Sequence, residues 1–303
     1  MQYRIRHATT YRYTAPVTHA TQLLRLTPRR EPHQHVLTWH IAAPGILHGS
    51  IDAYGNATHI MSLNRQHDAI ELVASGTVQV DALHEGRLED TDTLPVQIYS
   101  VQTPLTRHSG RVAEFAHAVL PQGMLGPEDA MRLAEAIQGQ VEYVPGVTDV
   151  TTDAESVLTL GHGVCQDHAH LFLACARGLQ VPARYVSGYL HTDAEYMASH
   201  AWVDVWFAQT GWVSIDVTNR QYASENHCRL AVARDYDSAS PVRGVRRGGG
   251  EEDMQVGVVV EPDEPIQGQQ QQQQHQQATS PRPMPQRRDA PTADVVGQQP
   301  HQQ

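Results

Sequence analysis

Residues 161–190 read GHGVCQDHAHLFLACARGLQVPARYVSGYL, and this stretch decides the fold. Gly161 and Gly163 permit an unusual approach to a helix that opens near Cys165. Ala169, Phe172, Ala176 and Leu179 follow at helical spacing, and 183–190 is then a Val- and Tyr-rich run of strand character. A helix opening at Cys165 sets a thiol at the positive end of the helix dipole, where the thiolate is favoured and a neighbouring imidazolium would favour it more. The thiolate is the nucleophilic form.

A nucleophilic cysteine needs a histidine to hold or relay its proton, and that histidine needs an acidic or amide group to fix its tautomer. Residues 199–220, SHAWVDVWFAQTGWVSIDVTNR, offer both. His200 opens a strand, Gln209-Thr210-Gly211 turns the chain, and Asp216 lies on the returning strand. In a plain hairpin with Phe207 opposite Trp212, His200 faces Asn219, three residues from Asp216. Bringing His200 to Asp216 is then expected to need a bulge or a strong twist.

With the Gly-x-Cys-x-Asp helix start, the Ser-His-Ala-Trp strand and the Gly-Trp-Val-x-x-Asp strand in hand, the chain resembles the transglutaminase-like superfamily, a papain-related fold. CQD (165–167), ARYVSGYL (183–190), SHAWV (199–203), GWV (211–213), RDY (234–236) and SPVRGV (240–245) are similar to the bacterial transglutaminase-like proteins, which carry a β-rich N-terminal region. The resemblance runs to about residue 262. It implies Cys165 as nucleophile, His200 as general base and then general acid, and Asp216 as the group orienting His200. Two positions depart from the family: His168 stands where an aromatic residue is usual, and Asp216-Val217-Thr218 where Asp-Pro-Thr is usual. Neither removes a catalytic group, although loss of the proline could loosen the strand end bearing Asp216.

Each sharp reading has a plainer rival. Cys175, set among Leu171, Phe172 and Leu173, reads as a small buried hydrophobe, as does Cys228. His162, Cys165, His168 and His170 crowd together in the manner of zinc ligands, but structural zinc prefers paired ligands from separate loops, and 19 histidines make chance clusters common. His170 is expected to donate a structural hydrogen bond, with no role fixed for His168. Trp202, Trp206 and Trp212 read as packing rather than a substrate cleft. One face of the Tyr185-Ser187-Tyr189 strand is expected to be buried, and Asp204 reads as either a solvated charge or a second partner for His200. Arg243, Arg246 and Arg247 beside three glycines read as a solvated loop.

The remaining sequence frames this core. The chain has 303 residues, 40% apolar, and a net charge of −11 with no lysine at all, so nucleic-acid binding is disfavoured. Three cysteines without paired spacing make no disulfide framework. No long apolar span or apolar leader occurs, so a cytoplasmic location without membrane partners is expected. Strand signals at Tyr3 to Arg6 and Val36 to Ile41, with a turn at Asp52 to Asn56, predict a β-rich domain over 1–100. Helical spacing at Val112 to Leu120 and Met131 to Ile137, after Pro127, opens an α+β core over 101–262 that ends in a strand near Met254 to Val260. Over 263–303 a Gln- and Pro-rich tail is expected to be disordered, nine of the eleven residues from Gln267 to Gln277 being glutamine.

The expected fold is therefore α+β: a β-rich N-terminal domain, then a nucleophile helix packed on an antiparallel sheet. The expected function is acyl transfer from a peptide or protein substrate through a thioester on Cys165, to water or to an amine. No metal or organic cofactor is implied. The rival is a catalytically silent module that binds peptide in a papain-like cleft.

Overall fold

The computed structural model describes residues 1–91, 93–192 and 199–263, and residues 1–263 form one compact unit. The tail expected over 264–303 lies outside the described residues. In chain order the elements are β1 (Gln2–Leu24), β2 (Gln34–Ala42), β3 (Leu47–Ile51), β4 (Ala57–Leu63), β5 (His67–Val80) and β6 (Arg87–Leu88). They continue with α1 (Gly110–Val119), α2 (Pro127–Gln140), β7 (Glu142–Tyr143), α3 (Ala154–Leu160), β8 (His162–Gly163) and α4 (Cys165–Gly178). The last are β9 (Ala183–Leu190), β10 (Ser199–Phe207), β11 (Gly211–Asp216), β12 (Gln221–Tyr222), β13 (His227–Ala233), α5 (Tyr236–Ala239), β14 (Val242–Gly248) and β15 (Glu252–Pro262).

The N-terminal sheet is organised by β1, whose alternation buries Tyr3, Ile5, His7, Thr9, Tyr11 and Tyr13 on one face. Its pairing with β5 slips between Arg12 and Val17, around Pro16, which has no N–H to give a ladder. The order is β2-β5-β1-β4-β3, and β14 and β15 also pair with β1. The C-terminal strand expected to close the core thus belongs to the N-terminal sheet, Tyr3 lying opposite Pro262. In the other direction β6 pairs with β11, and Tyr99 stands edge-on to Trp212 at 5.3 Å. Elements from both sides therefore cross the boundary expected near residue 100. Alternation in sequence reveals a strand but not its partner.

The core is the expected α+β arrangement. An antiparallel sheet, β12-β11-β10-β9-β13, packs against α4, and α1, α2 and α3 surround the helix. Every α4 residue from Asp167 to Arg177 is buried, so this helix is enclosed all round rather than amphipathic. The strand predicted over 183–190 and the two predicted to carry His200 and Asp216 appear as β9, β10 and β11. The short helix α3 was not expected, since seven residues give too little periodicity to read.

The two sheets are tied by buried charge. Asp204 of β10, fully buried, accepts from Arg184 Nε at 2.7 Å and from Arg229 Nη1 at 3.0 Å. Arg229 Nε lies 2.9 Å from Glu31 of the N-terminal region, and Arg29 Nε donates to Glu31 at 2.7 Å. Asp204 is therefore neither a solvated charge nor a partner of His200. The arginines hold its carboxyl well below the usual range although burial alone would raise it.

Candidate active site

The approach to α4 explains the glycines. Gly161 ends α3 in the left-handed region at φ 69°, which a residue with a Cβ enters only at a cost. Gly163 serves close approach: a Cβ there would sit 2.7 Å from that of Asp167. Asp167 in turn accepts the Val164 N–H and the Thr148 hydroxyl, both at 2.7 Å, and so caps the helix one residue before Cys165. The parallel pair β7 and β8 sets Tyr143 beside Gly163. The thiol on the first turn is half-buried.

His200 and Asp216 meet without a bulge. The β10 and β11 ladder runs Phe207 with Gly211, Trp206 with Trp212, and on to Val203 with Ile215. The turn is thus one residue tighter than expected, which brings Asp216 closer to His200. His200 Nε2 lies 2.8 Å from Asp216 Oδ2, and Cys165 lines the same small cavity as His200 and raises the imidazole pKa, so the three predicted residues come together. Trp202 stacks beside the imidazole, with centroids 6.0 Å apart, and its own N–H is spent on Ser214.

Asp216 has more partners than sequence reasoning found. Oδ2 also accepts from Asn219 Nδ2 at 2.7 Å and from His227 Nε2 at 3.1 Å, while Oδ1 takes the Asn219 N–H. Ser224 N–H donates to His227 Nδ1, which fixes the proton of His227 on Nε2, facing the carboxylate. Neither residue announces itself in sequence: His227 is one of 19 histidines and lies 11 positions beyond Asp216, on β13. His168 gives Nε2–H to the Val141 carbonyl and accepts the Thr218 hydroxyl, both at 3.0 Å. It thereby holds the segment just after Asp216, where the family's proline is missing.

Burial opposes charge at both members of the pair, and charge wins. Burial would raise the Asp216 carboxyl, yet His200 and the donors from His200 and His227 hold it far below the usual carboxylate range. Burial would lower His200, yet Asp216 and Cys165 push it up to about 10. Because the folded value exceeds the unfolded one of about 6.5, the stabilisation is complete below about pH 6.5 and is lost as pH rises towards 10. The His200 ring protons, followed by NMR, should titrate near pH 10; a midpoint near 6.5 would refute the ion pair.

His200, Asp216 and His227 are also the one set of metal-ligating type whose atoms converge, within 4.8 Å, among the described residues. They do not fit a cation. His227 Nε2 carries its proton and the imidazoles are spent on one carboxylate oxygen, so no lone pairs converge on a common point. The cluster near Cys165 disperses likewise: exposed His162 lies 3.5 Å from Glu142, and fully buried His170 accepts the Tyr236 N–H at 3.2 Å. His170 is thus an acceptor, not the donor expected, because its ring meets the free N–H at the start of α5. Cys175 and Cys228 are buried and their thiols pushed up by that burial. Arg243, Arg246 and Arg247 lie on strand β14 rather than in a loop.

A cavity of about 170 Å³ opens beside Cys165 and His200, walled by Tyr143, Tyr185, Tyr189 and Leu230. His7 of β1 reaches it as well, bonded to the Tyr189 hydroxyl at 2.9 Å and lowered by burial to about 4, hence neutral. No Asp, Glu or Arg lines it among the described residues.

The transglutaminase-like superfamily model matches residues 113–217, the span that holds Cys165, His200 and Asp216. The bacterial transglutaminase-like N-terminal region matches residues 3–79. The chain is a transglutaminase-like protein. Uncharacterized proteins of Mycobacterium leprae and Mycobacterium tuberculosis are each 29% identical to it, covering 85% and 80% of this chain and 97% and 87% of their own. A solved candidate cysteine protease from Cytophaga hutchinsonii superposes with a TM-score of 0.70 at 20% identity, over 88% of this chain and 92% of its own. At that identity the likeness is one of fold, and it extends over both the N-terminal sheet and the transglutaminase-like core. No helix of the described transglutaminase-like protein is long and apolar enough to cross a membrane.

Proposed function

We propose that this transglutaminase-like protein is a cysteine-dependent acyl-transfer enzyme that opens peptide or carboxamide bonds. The observation that carries the reading is His200, bonded to Asp216, sharing one cavity with Cys165 at the start of α4. In this reading the Cys165 thiolate attacks the carbonyl carbon, and the Cys165 N–H at the helix start donates to the oxyanion. His200 then gives its proton to the departing amine, leaving a thioester on Sγ. An acceptor, deprotonated by His200, attacks that thioester and releases the thiol. Asp216 holds the imidazole in the required tautomer throughout.

Water is the acceptor we favour. A lysine-type acceptor arrives as a cation, and the cavity has no acidic side chain among its described lining to attract one. The test is an assay on a pool of glutamine-containing peptides with a labelled amine, following hydrolysis and amine incorporation by mass. We expect hydrolysis to dominate and Cys165→Ala to lower it by at least about a thousand-fold. Product that does not depend on Cys165, with a thiol that alkylates no faster than an unfolded cysteine, would instead indicate a silent peptide-binding module.

A further inference from the structure

On the far side of Tyr236 from the catalytic cavity lies a larger groove, about 430 Å³, that the acyl-transfer chemistry does not use. It is built jointly by both ends of the folded unit. Tyr11, Tyr13 and Gln22 of β1 form its floor, and β14 and β15 with the segment after α5 form its wall. Tyr236 lines both spaces. Pro241 faces the catalytic cavity while its neighbours Ser240 and Val242 face the groove, so the two are separated by a single thickness of chain.

Gln22 marks the groove as a binding site. Its side chain is 95% buried by exposure of only 5%, yet its Oε1 has no hydrogen-bond partner. A buried carboxamide oxygen left unpaired is costly, and a donor from an occupant removes that cost. The charges along the rim need no such help: Arg243 pairs with Asp237 at 2.9 Å and Arg246 with Glu252 at 3.1 Å, and Arg246 also lies over the Tyr13 ring at 5.1 Å. What remains for a ligand is aromatic and aliphatic surface, from Tyr11, Tyr13 and Met254, plus one buried amide group.

We infer that this groove holds an extended segment of the peptide whose acyl group reacts at Cys165, with a backbone amide paired to Gln22 and an apolar side chain against Tyr11 and Tyr13. A peptide unit suits Gln22 because it carries both a donor and an acceptor. Two neighbouring spaces that share Tyr236 suit a polymer, which can reach across both, better than a small amide, which the catalytic cavity alone would contain. The inference rests on the acyl-transfer reading for its direction: the substrate is a protein or a peptide of several residues, and the N-terminal sheet selects it.

Chloroacetyl peptides of one, three, five and seven residues, alanine with a single phenylalanine, provide the test. Each alkylates Cys165 with loss of chloride, and intact mass gives the rate. The rate constant should rise at least tenfold with length in the wild type. The rise should disappear in Gln22→Leu, and also in Met254→Trp, which fills the groove from a residue opposite Tyr11 that is 54% exposed and so carries little folding risk. Alkylation by chloroacetamide itself should be unchanged in both. A length effect that is absent, or that survives both substitutions, overturns the inference while leaving a reactive Cys165 intact. A second arm separates the failure of the acyl-transfer reading. Photoreactive versions of the same peptides, mixed with Cys165→Ser protein, should crosslink to residues 11–22 and 236–246. Crosslinks only elsewhere overturn the groove whatever the thiol does.

Discussion

Asp216→Asn should lower kcat/KM by about three to four orders of magnitude while the protein stays folded, the loss typical when an orienting carboxylate becomes an amide. The reason lies in its four donors. Oδ2 accepts from His200, Asn219 and His227, and an amide in that place has one acceptor oxygen and an N–H₂ that opposes the donors. His200 would lose both its tautomer lock and the charge that holds it near 10. The alkaline limb of the rate, where His200 can no longer protonate the leaving amine, should accordingly move from near pH 10 towards about 6.5. A variant with wild-type kcat/KM, or a lowered rate with an unmoved limb, would mean that Asp216 does not act through His200. Rate against pH, with circular dichroism to establish folding, decides it.

Asp204→Asn should destabilise the protein by about 3–5 kcal/mol, read as a lower urea midpoint by tryptophan fluorescence. The substitution keeps the volume, so no cavity contributes. What changes is that Arg184 and Arg229, both buried, lose the carboxylate that balances them, and only Glu31 remains for Arg229. Against a typical total of about 5–15 kcal/mol, that is a large share. An Asp204→Asn protein as stable as wild type would show the cluster to be solvated in solution. The His200 titration should not move in this variant, which separates the two buried aspartates that strands β10 and β11 carry.

The reasons these residues could or could not be read from sequence differ. Cys165 was legible because helix start, glycines and a following helical pattern are all local, and so each leaves a mark within a few positions. His200 and Asp216 were legible as strand residues around a turn, but their contact was not. The expected pairing of Phe207 with Trp212 was one residue out, and a one-residue slip changes every cross-strand neighbour. His227 and Asn219 were missed since a hydrogen bond to a common carboxylate has no periodicity. Asp204 was misread for a related reason: alternation places it on a face, but its burial is decided by Arg229 on another strand and by Glu31, almost two hundred positions earlier. His168 carries no local sign of its role, because its partner Val141 lies far off in sequence, between α2 and β7. The fold class followed from local pattern, whereas the sheet that β14 and β15 join depended on long-range pairing.

That pairing sets an order of events during synthesis. β1 leaves the ribosome first, and β15, which lies along it from Tyr3 opposite Pro262 to Tyr13 opposite Glu252, is the last described strand to be made. At roughly 5–20 residues per second, the wait is on the order of 10–50 s. β5 can cover one edge of β1 early, but the other edge, later taken by β15, has no partner in that interval. A nascent chain in this state presents a long, alternately apolar edge to any other nascent chain nearby. Yield in a cell should therefore depend on holdase chaperones and on translation speed more than on the stability of the finished protein.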